Sequence, residues 1–136
     1  MRKVVFILGC VTALASASTA LAQAEGTVEV PRGLWETPLD AQGIKYHVRT
    51  RRCGRALCGR VERAKNRRGF DTPSNAVGDK VLWEMQPQPD GSFTGELRDS
   101  HANRLLNSRV ALQGNILAVN ACDSNTCTHS TWKRLR

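Results

Sequence analysis

With 136 residues, 24 % of them charged, and a formal charge of +8, the chain is long enough for one domain around one core and too short for two. No apolar run is long enough to cross a bilayer of about 30 Å as a helix. A phosphate-cradling glycine loop, a metalloprotease helix motif and a nucleophile elbow are all missing, so nothing in the pattern supports an enzyme or a cofactor.

Met1-Arg2-Lys3 is a short positive region, Val4 to Leu14 an apolar run, and Ala20-Leu21-Ala22 a small-x-small site. This is the pattern of a cleaved secretory signal over residues 1–22, with cleavage after Ala24 as the alternative. The expected location is therefore the periplasm or the outside of a cell, with no transmembrane segment once the signal is gone. Arg2 and Lys3 leave with it, so the mature chain carries 18 bases and 12 acids, or +6.

Residues 23–32 are polar and small and read as a loose lead-in to a single domain over 33–136. Gly33-Leu34-Trp35-Glu36 starts the first strand, stopped by Pro38 and the turn composition of Asp40 to Gly43. Ile44, Tyr46, Val48 and Thr50 then alternate with Lys45, His47, Arg49 and Arg51. A period of two sends the first set to a core and a cationic row to the other face. Cys53 to Cys58 marks a hairpin tip, and Leu57 to Arg63 returns with Leu57, Gly59 and Val61 on one face.

Ala64 to Asp79 contains Asn66, Gly69, Asp71, Pro73, Asn75 and Gly78, too many breakers for a regular element. It is the expected long surface loop, the most mobile segment and a candidate lid. Lys80 to Gln86 is a strand with Val81, Trp83 and Met85 expected inward. Phe93, Gly95 and Leu97 alternate with Thr94, Glu96 and Arg98; Leu106, Ser108, Val110 and Leu112 form the next strand; Gly114-Asn115 turns into Ile116 to Cys122. The last strand runs from Cys127 to about Leu135. About eight short antiparallel strands without an amphipathic helix predict an all-β fold, an up-and-down eight-stranded barrel of the lipocalin type, since closure removes the edges an open sheet would expose. A two-sheet sandwich is the alternative.

Four cysteines remain after export, an even number in an oxidising compartment. Three pairings exist. The four-residue gaps suit strands joined by short turns, which favours Cys53 with Cys58 and Cys122 with Cys127. A four-cysteine zinc site is the rival, opposed by the compartment and the spacing. The charge is localised: Arg49 to Arg68 holds nine bases against Glu62, or +8, so the rest of the mature chain sums to −2.

Gly33-Leu34-Trp35, Cys53 with Leu57-Cys58-Gly59, and Cys122, Cys127 with Thr131-Trp132-Lys133-Arg134 together resemble the bacterial domain-of-unknown-function family 2147, a set of small exported proteins. The chain departs from that family at one turn. Where the family shows an aspartate-proline and a glycine-lysine-x-tyrosine, this sequence has Asp99-Ser100 and Asn103-Arg104-Leu105-Leu106. The first and last motifs are also similar to the lipocalin arrangement, which implies Gly33, Trp35, Trp132 and Arg134 as structural residues, with Trp35 across the closed end beneath Arg134 or Lys133.

Two functions fit. One is a barrel taking a small apolar or amphiphilic ligand, its open end bordered by the 64–79 loop and with Arg49, Arg51 or Arg63 near an anionic head group. The other is a protein whose basic face rests on an anionic envelope surface. Nucleic acid is not an expected partner, because the basic run has no interleaved aromatics. His47, His101 and His129 are too scattered to form a metal-ligand pair on one strand.

Overall fold

The structure, a computed structural model, describes residues 29–100 and 102–136. Residues 1–22, where the signal is expected, and His101 lie outside the described residues. Eight antiparallel strands form a closed barrel in sequence order: β1 (Gly33–Glu36), β2 (Lys45–Cys53), β3 (Ala56–Lys65), β4 (Lys80–Pro87), β5 (Phe93–Asp99), β6 (Arg104–Gln113), β7 (Ile116–Cys122) and β8 (Cys127–Arg134). Closure rests on a short seam in which Trp35 pairs with Arg134 and Glu36 with Lys133. Backbone bonds from Leu34 N to Arg136 O (2.9 Å) and Leu135 N to Leu34 O (2.7 Å) extend it. The all-β barrel, rather than the sandwich, is the fold.

Alternation decides which side chains go inside. Val48 and Thr50 on β2, Leu57 and Val61 on β3, Val110 on β6 and Leu117, Val119 and Ala121 on β7 are buried, as the period of two requires. The alternation fails on β4. Its pairing with β5 shifts register between Trp83 and Gln86, and Glu84 sits at φ 41°, a left-handed conformation costing a non-glycine residue about 1–2 kcal/mol. Val81 and Met85 are buried as expected, but Leu82 is buried too, and Trp83, expected inward, is 37 % exposed.

In an up-and-down barrel successive connections alternate between the two ends. The β2–β3, β4–β5 and β6–β7 turns lie at one end together with residues 29–32. Trp35 is fully buried there, its Nε1 donating to Thr50 Oγ1 (2.8 Å), whose hydroxyl donates in turn to Pro31 O (2.5 Å). The Arg134 guanidinium lies 4.3 Å from the Trp35 ring centroid and donates to Arg32 O (2.9 Å). Gly33 has φ 152°, and a Cβ there would stand 2.5 Å from Arg136 O, so only glycine fits the corner. Val30 and Pro31 are buried against this cap, so the last residues of the expected loose lead-in are part of the core. Their burial went unseen because an isolated apolar pair has no periodicity.

The other end carries the β1–β2, β3–β4, β5–β6 and β7–β8 connections. The 64–79 stretch is not a free loop: β3 runs to Lys65, and the residues beyond it are laced back onto that strand. Thr72 N donates to Ala64 O (3.0 Å), Gly78 N to Val61 O and Val61 N to Asp79 O (2.9 Å each), and Asn66 Oδ1 accepts from the amides of Arg68 and Phe70 (3.0 Å each). The breakers make turns, and the turns are bonded.

Both disulfides join nearest neighbours, Cys53–Cys58 and Cys122–Cys127. Cys122 faces Cys127 directly across β7–β8. Cys53 instead faces Ala56 across the Gly54-Arg55 turn, so its bond to Cys58 runs diagonally. The two staples sit at opposite ends of the barrel.

Candidate functional site

Inward side chains are large near the capped end and small near the other. On β7 the series runs Leu117, Val119, Ala121, and on β3 it goes from Leu57 to Val61, with Gly59 between them making room for Leu82. Trp35, Phe93, Met85 and Leu57 fill the capped half. In the other half Val48, Val61, Val81, Leu97, Val119 and Ala121 line a cavity of about 460 Å³, with Trp132 at its base and Ala76 of the 64–79 segment at its side. The size lies within the range of small-molecule sites, about 300–1,000 Å³.

The cavity mouth is polar. Tyr46 Oη lies 3.3 Å from Asp40 Oδ2, while Asp40 Oδ1 accepts from the amides of Gln42 and Ile44 (2.9 Å each), which holds the β1–β2 loop over the opening. Burial first, and the neighbouring Asp40 and Asp99 carboxylates after it, push the Tyr46 phenol above its ordinary value, so it stays protonated and able to donate at any physiological pH. Asp99 shares the inward register of Leu97 and Phe93. Arg98 also lines the cavity, with its Nε buried and its Nη2 donating to Asn103 Oδ1 (2.7 Å). The mouth thus carries a guanidinium beside the two carboxylates.

The arginines expected near a ligand head group lie elsewhere. Arg49 and Arg51 stand on the outer wall of β2, where Arg49 is bonded to Glu62 through Nε (2.7 Å) and Nη2 (3.3 Å). Arg63 also points outward and pairs with Asp71 (3.4 Å). None of the three lines the cavity. Asp40 and Asp99 were missed because single aspartates at strand ends read as turn formers; the only hint was that both sit at the end where Tyr46 points.

His47 Nε2 is 3.0 Å from Glu36 Oε2 across the β1–β2 pairing, and His129 faces Asn120 across β7–β8 and borders the cavity. Among the described residues no group of three or more His, Cys, Asp or Glu could hold a metal ion.

The model of a family described as "Uncharacterized protein conserved in bacteria (DUF2147)" matches residues 33–134, three quarters of the chain. The chain belongs to this family. No curated protein and no solved structure matches it. The residues that carry the DUF2147 resemblance build the scaffold: Gly33, Trp35, Arg134 and Cys53–Cys58 form or border the cap, and Cys122–Cys127 staples the far hairpin. In the β5–β6 turn Asn103 takes φ 50°, and asparagine is among the few non-glycine residues that tolerate it.

Proposed function

We propose that the protein is an exported, non-catalytic binding barrel of the periplasm, which takes a small apolar or amphiphilic molecule into the cavity beneath the β1–β2 loop. The observation that supports this reading is the unfilled half of the barrel. An eight-stranded barrel is narrow enough for side chains alone to fill, and here they fill only the capped half. Asp40, Asp99 and Arg98 at the mouth suit a neutral or zwitterionic head group, and Arg98 stands where Arg49, Arg51 or Arg63 were expected from sequence. Two disulfides are in keeping with an extracytoplasmic site of action.

Native mass spectrometry of the protein purified from the periplasm, with displacement of a hydrophobic dye, tests this. A co-purifying or displaceable small molecule is the expected result. A protein that arrives empty and takes up no dye would end the reading.

A second reading has its own observation. On the outer wall of β2–β4, Arg49 faces Arg60 and Arg60 faces Lys80, a row of cations on neighbouring strands. Such a wall suits an anionic envelope surface, and contacts built on it weaken as salt rises from about 50 to about 300 mM.

A further inference from the structure

The same outer wall holds a groove of about 310 Å³ lined by Arg49, Arg51, Arg52, Arg60 and Lys80, with Glu62 as its one carboxylate. Neighbouring strands lie about 4.8 Å apart, and like charges set directly opposite one another weaken a sheet. The row is partly compensated, Arg49 by Glu62, Arg60 by the carbonyl of Gly78 and Lys80 by Glu84 at 3.9 Å. With Arg51 and Arg52 beside it, the groove still carries an excess of positive charge that suits an anion.

Trp83 supplies a second, separate observation. Regular alternation would have turned this indole into the barrel; the irregularity at Glu84, held in a strained backbone conformation, keeps it outside. Strain and bulges of this kind recur where a side chain is re-aimed for use. Trp83 follows Leu82, which pairs with Gly59 of the groove, and the ammonium of Lys80, which lines the groove, lies 4.6 Å from the indole centroid. A flat aromatic face thus borders a row of cations.

We infer that the groove and Trp83 together bind a linear acidic polysaccharide, with carboxylates or sulfates on successive sugars against the arginines and the apolar face of one sugar ring on the indole. This rests on the reading of the outer wall as anion-facing. Shape argues for a single chain rather than a lipid surface: the wall is convex, so a flat bilayer would meet it along one line, whereas a chain can follow the groove. An exposed indole adds little to a bare phosphate and much to a ring that can stack.

The test uses the full mature chain with oligogalacturonate, which carries one carboxylate per sugar, and inorganic polyphosphate, which has no ring. Calorimetric titration should show saturable binding of oligogalacturonate that weakens with salt. Arg51→Ala with Arg52→Ala should lower affinity for both probes about tenfold, as loss of charge-assisted hydrogen bonds implies. Trp83→Ala should lower affinity for oligogalacturonate about tenfold, as loss of one stacking contact implies, and leave polyphosphate unchanged. Trp83→Phe should recover part of the loss, with circular dichroism confirming that each variant keeps its sheet. Equal effects of Trp83→Ala on the two probes, or tighter binding of a single-stranded oligonucleotide than of the saccharide, would overturn the polysaccharide. Salt-dependent binding to phosphatidylglycerol vesicles without binding of oligogalacturonate would overturn it too, while leaving the anion-facing wall intact. No binding to any of these anions would remove both.

Discussion

Trp35 concentrates the energetics of the capped end in one side chain, fully buried beneath Arg134 and hydrogen-bonded to Thr50. Replacing it with alanine removes the burial, the cation contact and the buried donor together, so Trp35→Ala should cost about 3–5 kcal/mol in urea unfolding. Gly33→Ala should cost more than about 1 kcal/mol, because the added methyl meets Arg136 O in a backbone conformation that alanine avoids. Glu36 gives a pH dependence. Burial acts to raise its pKa, but hydrogen bonds from Lys45 (3.0 Å) and His47 (3.0 Å) outweigh it and hold the carboxyl below its ordinary 4.5. The unfolded chain therefore takes up this proton first. The stabilisation is complete above the ordinary carboxylate range and is lost as pH falls through it towards the folded value. Stability measured from pH 7 to 3 should fall less steeply for Glu36→Gln than for the wild type; parallel curves would show that the bridge contributes nothing. Glu62, drawn down by Arg49, follows the same sign.

Each staple acts on one hairpin. Cys53–Cys58 and Cys122–Cys127 each close a loop of about six residues, for which chain entropy predicts about 2 kcal/mol. Cys122→Ser with Cys127→Ser should lower the melting temperature while leaving the sheet signal in circular dichroism intact, because the β7–β8 ladder runs on from Ala121–Thr128 to Ile116–Lys133 without the bridge. Loss of the fold in that variant would show that the hairpin depends on its sulfurs. The sequence made all eight strands legible, since alternation and turn residues are local signals. What it hid were places where a local signal is overridden by pairing. Trp83 is turned out by a register shift that depends on β5, and the 64–79 stretch is tied down by bonds to β3 that no composition announces. The mouth of the cavity was hidden for the same reason, because Asp99 of β5 joins the local Asp40–Tyr46 pair only when the barrel closes.

At the scale of the whole molecule the barrel is two halves with different packing. The capped half is filled by Trp35, Phe93, Met85, Leu57 and Leu117, and the other leaves about 460 Å³ open under Tyr46 and the β1–β2 loop. A void of that size sacrifices dispersion contacts that larger side chains at Val119 or Ala121 would recover, so an unliganded barrel is less stable than its own framework permits. Ala121→Phe discriminates between a packing defect and a binding chamber. It places a ring into the void from β7 opposite Ser108, away from the cap and both seam pairs. With a binding chamber, wild type carries or takes up an apolar molecule and gains melting temperature with its concentration, whereas Ala121→Phe binds none and melts at a temperature that no ligand moves. With a mere defect, both proteins are empty and indifferent to ligand, and the variant is simply the more stable of the two. The concentration dependence of wild-type melting therefore decides the matter, because only a site that prefers the folded state can produce it.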